Sequence, residues 1–389
     1  MHAPEEAELR LQTMQMLLGA RASDAAPANA VIRLAREWKV IPQLRGRLLK
    51  LDWTERERNE VRELARESFT HTVAAIRAGI RATELLEAAA IRCVTFKGLP
   101  ALAELYPGPG HRTLQDVDIL IGPRDLARAL ELLEFNGYTR SAGGALDEYI
   151  RFLRHSPGFA GNEAISLTDA RGGAIDVHWK LGRIDTAGVF AGARRITVLH
   201  KNVPAASAAH SLLLVVHHSL RNDFIADRIA RDVLDFDAWL GRLDASTEIP
   251  LILRTAGEWG LKIPALAMES IVARLRGTQA GRLAPHATAG ERRAADDLAE
   301  LYFHQIREGA LNPDLVYLTD YRPLQQMVAG AAGGWKRYRT RMKEMEALNG
   351  SPDAPLGERL RKLAQSAGRF PARRWRQLRR LAAAKAAIA

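Results

Sequence analysis

The sequence predicts an α/β (α+β) fold, with a small mixed-sheet core flanked by N- and C-terminal helical regions. Three observations carry this. Up to about residue 90 the apolar residues recur at helical spacing. From Ile91 they bunch into short β-branched runs broken by glycine and proline, and beyond about residue 205 the helical period returns.

In order along the chain, residues 29–50 and 58–90 are rich in Ala, Leu, Arg and Glu, with Val61, Ala65, Phe69, Val73, Ile76 and Ile80 on one helical stripe. IRCVTF is a strand, and KGLP turns it into a short helix, LPALAELY, which PGPG at 107–110 breaks. HRTLQDVDILIG then alternates as a second strand. Residues 123–135 are helical and stop at Asn136 and Gly137. ISLTD and AIDVHW read as two strands joined through ARGG. Beyond residue 205, Ile225, Ile229, Val233, Phe236 and Leu240 share a helical face, with softer breaks near 277–290 and at GAAGG, 330–334. The expected organisation is an N-terminal helical region (1–90), an α/β core (91–205), a C-terminal helical domain (206–349) and a basic tail (350–389).

The chain has 389 residues, 47% of them hydrophobic, enough for a sizeable core. Its net charge of +11 suggests an anionic partner, but residues 350–389 carry ten Lys or Arg and two acids, a net of +8 that leaves +3 elsewhere. The basicity is therefore a property of the tail and does not argue that the folded body binds nucleic acid. The tail mixes arginines with Leu360, Leu363, Phe370, Trp375, Leu378 and Leu381, a pattern suited to anionic lipid, RNA or an acidic protein, or to a solvated terminus. MHAPEEAELR lacks the basic and apolar regions of a secretory signal, and the run LLLVV at 212–216 is far short of a membrane span, so a cytoplasmic protein without a transmembrane segment is expected. One cysteine, Cys93, excludes an internal disulfide and a cysteine-rich metal site, and its apolar context predicts a buried small hydrophobe.

Side chains alternate along a strand, so in DVDIL Asp116 and Asp118 share one face and Val117, Ile119 and Ile121 the other. In AIDVHW the same rule groups Ala174, Asp176 and His178 against Ile175, Val177 and Trp179. Clustered carboxylates repel one another, and a divalent cation is their commonest compensation; oxygen ligands favour Mg2+ or Mn2+. Two such metals about 3.5–4 Å apart are the known device for in-line phosphoryl displacement. An isolated DxD is more often a solvated face, and here the glycine turn changes that reading. Gly98, with Leu99 and Pro100, opens a helix whose free N–H groups suit a triphosphate.

This order of strand, glycine turn, short helix and DxD strand resembles the DNA polymerase beta type nucleotidyltransferase superfamily. Gly98 matches its first glycine, Asp116 and Asp118 its acidic pair, and Asp176 its third acid, while Leu99 replaces the second small residue and removes the usual Ser or Gly contact to phosphate. The string FKGLPALAELYPGPGHRTLQDVDILI, with FNGY and IDVHW after it, is similar to the bacterial family of uncharacterised nucleotidyltransferases, specifically over about residues 91–180. The resemblance implies a nucleotidyltransferase core, a metal-dependent transfer from an NTP, and membership of a bacterial biosynthetic gene cluster with an undefined acceptor.

Lys97 ends a strand beside the expected phosphate site and suits charge developing on a triphosphate. Arg112 suits a bidentate phosphate contact, the alternative being an exposed loop arginine. His178 either touches nucleotide or orients a carboxylate, or is satisfied within the core. The resemblance also implies that His217 or His218 faces the site with Asp232 nearby, although for each of them packing is the role expected first. HSLLLVVHH lacks the Glu of a zinc-protease motif.

The expected catalytic and metal-binding set is Asp116, Asp118 and Asp176, and the nucleotide-binding set Lys97, Gly98, Arg112 and His178. The function expected is transfer of a nucleoside monophosphate from an NTP to an acceptor hydroxyl or phosphate, with release of pyrophosphate. The alternatives are a non-catalytic protein that retains the fold and binds nucleotide or a partner, and RNA-directed nucleotide addition.

Overall fold

A computed structural model describes residues 3–19, 27–140, 164–182, 184–222, 226–279 and 281–308. Ile225, the break at 330–334 and the basic tail 350–389 lie outside the described residues.

Among the described residues four helices precede the first strand: α1 (Ala3–Leu17), α2 (Ala28–Glu37), α3 (Ile41–Leu48) and α4 (Glu55–Ala88). Thr54 starts α4 with a capping box, its hydroxyl accepting from the Glu57 amide while the Glu57 carboxylate accepts from the Thr54 amide. The core follows as β1 (Cys93–Phe96), α5 (Gly98–Leu105), β2 (Asp116–Ile121), α6 (Leu126–Phe135), β3 (Thr139–Arg140), β4 (Ala164–Thr168), β5 (Ala174–His178), α7 (Thr186–Ala191), β6 (Arg194–Val198) and β7 (Lys201–Ala205). Among the described residues five helices follow: α8 (Ala208–Arg221), α9 (Ala226–Arg242), α10 (Glu248–Glu258), α11 (Lys262–Arg276) and α12 (Ala289–Glu308).

The sheet is mixed, in the order β3-β4-β5-β2-β1-β7-β6. β2 runs parallel to β5 and antiparallel to β1, and β1 runs parallel to β7. The α+β class with flanking helices is therefore what the chain adopts. α4 lies across one face of the sheet at a close approach that only glycine allows, because a Cβ on Gly79 would sit 2.7 Å from the Val117 side chain. Val117, Ile119, Leu120 and Ile121 are buried, so β2 is covered on both faces and its burial does not alternate.

Three local differences from the sequence reading have physical causes. β2 begins at Asp116 rather than near His111, because Arg112 turns inward to Asp235 and the Leu114 amide donates to Thr72 Oγ1. Phe69 is 45% exposed, since α4 there passes over the 110–113 loop, where Ser68 Oγ bonds Thr113 Oγ1 at 2.9 Å. The β6–β7 hairpin carries no glycine signal, because its turn is made by Leu199 and His200 at φ 45° and 65°. Cys93 is buried and its thiol is pushed up to about 12, chiefly by that burial.

The LLLVV run lies in α8 and is buried, packed with Phe236 and Trp239 of α9 and Ile271 of α11 in the main apolar core. Among the described residues no helix is long and apolar enough to cross a membrane.

Candidate active site

The site begins with the end of β1. Phe96 is the last strand residue, and Lys97 turns the chain at φ 54°, ψ −108°, a conformation ordinarily left to glycine in type II′ turns. Gly98 then opens α5 beneath Leu114 and Arg112. A Cβ there would fall well inside contact distance of Leu114 Cδ1 and 3.1 Å from Arg112 Nη1, so the position requires glycine. Leu99 is fully buried, which directs its side chain into the core.

Parallel pairing sets Asp118 beside Asp176 and Asp116 beside Ala174, so the three carboxylates occupy one face of two adjacent strands. Asp118 is buried and Asp116 and Asp176 are half-buried. Lys97 Nζ donates to Asp118 Oδ1 at 2.7 Å, and His178 Nε2 lies 2.9 Å from the same oxygen. The His178 ring meets Phe96 edge to face, with centroids 4.9 Å apart, and its Nδ1 is buried without a hydrogen-bond partner among the described residues. Ser166, opposite Asp176 on β4, donates to Asp176 Oδ1 at 2.6 Å.

The electrostatics split the two acids of β2. Burial alone would raise the Asp118 carboxyl, but the Lys97 ammonium and His178 outweigh it and hold Asp118 well below the usual carboxylate range. At Asp116, burial and then repulsion from Asp118 and Asp176 push the carboxyl up to about 6. One ligand atom from each of Asp118, Asp176 and His178 lies within 4.8 Å of the others, a grouping that could hold a divalent metal; Asp116 stands two residues along β2, outside it. Two carboxylates and an imidazole suit such an ion, and the repulsion felt at Asp116 is what a cation would relieve.

Arg112 is buried behind the turn. Its Nε and Nη2 engage Asp235 at 3.0 and 2.5 Å and its Nη1 donates to the Thr113 carbonyl at 3.1 Å, while Tyr106 Oη donates to Asp235 Oδ1 at 2.8 Å. Asp235 of α9 thereby ties the loop before β2 to the C-terminal helices. On α8 and α9, His218 Nδ1 meets Asp232 Oδ2 at 2.7 Å and Ser219 Oγ donates to the same oxygen at 3.0 Å. His217 is half-buried beside them in sequence.

The structure thus brings together Asp116, Asp118, Asp176, His178 and Lys97, with Gly98 behind Lys97 and Arg112 facing Asp235. Sequence reasoning did not single out Ser166, Asp235, Arg231 or Lys39. Asp235 had a signal, since it lies three residues from Asp232 and so on the same side of the helix.

A family model described as "Uncharacterised nucleotidyltransferase" matches residues 24–277, more than half of the chain. Comparison with curated proteins finds no match. Among solved structures, an antigenic nucleotidyltransferase-like protein from Paracoccidioides brasiliensis is similar at 15% identity, over 50% of this chain and 94% of that one, with a TM-score of 0.28.

Proposed function

The chain belongs to the uncharacterised nucleotidyltransferase family, and from that membership we propose that it is a metal-dependent enzyme that transfers a nucleoside monophosphate from an NTP to an acceptor hydroxyl or phosphate. The observation that carries this reading is the in-register pairing of β2 with β5, which sets Asp118 against Asp176 with Asp116 on the same face.

Asp118 and Asp176, with His178 as a further donor, would hold one divalent ion, and Asp116 on the same strand face would help hold a second, Mg2+ or Mn2+ by the hardness of the carboxylate oxygens. When bound, such ions neutralise the triphosphate and favour the ionised acceptor oxygen. The acceptor oxygen forms a bond to the α-phosphorus as the bond to the bridging oxygen breaks and pyrophosphate departs. The acceptor proton passes to Asp176, whose other hydrogen bond from Ser166 fixes the carboxylate in place. Lys97 has a fifth of its side chain in solvent, and its ammonium is placed to pass from Asp118 to a phosphate oxygen. Gly98 permits the tight turn that presents Lys97, and Arg112, held by Asp235, positions that turn rather than the nucleotide.

The test is pyrophosphate release from each NTP in the presence of Mg2+ and a panel of acceptors. Wild-type protein should release it, chelation of the metal should stop it, and Asp118→Asn should lower the rate by at least about 100-fold. Full activity in Asp118→Asn would overturn the assignment.

A further inference from the structure

Two cations flank the segment that leads into β2. Arg231, on α9, is half-buried, and among the described residues its guanidinium makes one hydrogen bond, to the Thr113 carbonyl oxygen at 3.4 Å, and no ion pair. A guanidinium carries five N–H donors, so most of this one is available to a ligand. Lys39 sits between α2 and α3 in left-handed backbone, φ 59°, and its exposed side chain gives the ammonium to Gln115 Oε1. Thr113 and Gln115 lie on either side of Leu114, immediately before Asp116.

The two cations and Asp116 form one electrostatic group. Lys39 feels the charges of Arg231 and Asp116, and Arg231 feels those of Arg112, of its helix neighbours Asp232 and Asp235, and of Asp116. Burial and then a like-charged neighbour hold both cations below their ordinary values, and Asp116 opposes the shift at each of them. Arg112 cannot serve a ligand in their place, because Asp235 and Thr113 already engage it through all three nitrogens.

We propose that Arg231 and Lys39 form a seat for the β- and γ-phosphates of the incoming NTP beside Asp116. The inference rests on the nucleotidyltransferase reading above and adds the residues that grip the polyphosphate. Arg231 supplies a planar fork for two phosphate oxygens and Lys39 a mobile point charge at the rim. The seat draws on both sequence flanks of the α/β core, so a nucleotide bound there ties the 39–41 corner and α9 to the carboxylate strand.

The test uses the full chain and two probes, ATP and inorganic tripolyphosphate, each with Mg2+, titrated calorimetrically. Lys39→Gln, at an exposed position, and Arg231→Lys, which keeps the charge but loses the fork, should each weaken both probes about tenfold at low salt, with a smaller effect at high salt. Tripolyphosphate affinity unchanged in both variants overturns the seat, and if pyrophosphate release by the wild type persists, the transferase reading stands without it. Tripolyphosphate binding lost through these variants in a protein that never releases pyrophosphate keeps the seat and removes the transfer reading. A wild type that binds neither probe overturns both. Unchanged melting of Lys39→Gln shows that its loss is one of binding and not of folding.

Discussion

Asp118 is a carboxylate that burial alone would drive toward its neutral form, and two donors on one of its oxygens reverse that. The arrangement is demanding, because a buried charge that loses its partner is far more costly than the pair is stabilising. Lys97→Met leaves Asp118 with His178 as its remaining side-chain donor. Urea unfolding should show a loss of about 3 kcal/mol, the low end for breaking a buried pair because Lys97 is partly solvated. Lys97→Met combined with Asp118→Asn should recover more than half of that loss, since the uncompensated charge is gone; losses that simply add would refute the coupling. At this scale the carboxylates were legible because the strand pleat has a period of two, so DxD and IDVH declare their shared faces without knowledge of the fold. Lys39 and Arg231 were not legible. Their partners lie 76 and 118 residues away in sequence, and no local pattern marks a lysine or arginine for such a contact.

Elements showed the same division between local and distant causes. α4 announced itself through its apolar stripe, and β1, β2, β4 and β5 through short β-branched runs, because propensity and tertiary role agree there. The β6–β7 hairpin was hidden because its turn places Leu199 and His200 in left-handed backbone, where Asn-Gly is the usual signal. Each non-glycine residue held there costs about 1–2 kcal/mol, so the hairpin persists through its pairing with β1 and the burial of Val203 and Ala205. Replacing the pair by Leu199→Asn and His200→Gly should therefore stabilise the protein, by roughly 1 kcal/mol after the added freedom of glycine in the unfolded chain is counted. A melting temperature that falls on this change would mean that the two side chains contribute contacts beyond their backbone strain. Lys97 carries the same kind of strain, but at a position whose side chain reaches Asp118, so its conformation serves the site and not a turn alone.

Across the described residues, helices from both sequence flanks of the sheet meet: α1 packs on α11 and α12, while Asp235 of α9 grips Arg112 in front of β2. The sequence showed helices on both flanks but not that they meet, since an apolar stripe states that a face is buried without stating against what. His210 is one such junction. It lies in the first turn of α8, stacks on Trp259 at the end of α10 with ring centroids 5.4 Å apart, and lies against Gly192 ahead of β6. Burial, partly opposed by Asp185, lowers its pKa below the ordinary 6.5, and its Nδ1 is buried without a hydrogen-bond partner among the described residues. The unfolded chain therefore binds the proton more readily than the folded one, so this residue's contribution is present above about pH 6.5 and is lost as the pH falls below it. Asp116 acts in the opposite sense over part of the same range, because its raised carboxyl retains a proton in the folded state up to about pH 6. A bare stability profile would mix the two, and the difference between wild type and His210→Phe separates them. Phenylalanine keeps the stack on Trp259 and cannot titrate, so the variant should gain stability relative to wild type as the pH is lowered from 7 to 5, with a constant offset above pH 7. Denaturant unfolding at each pH measures this directly, and a difference that stays flat through pH 5 would show that the imidazole is not held neutral at the helical junction.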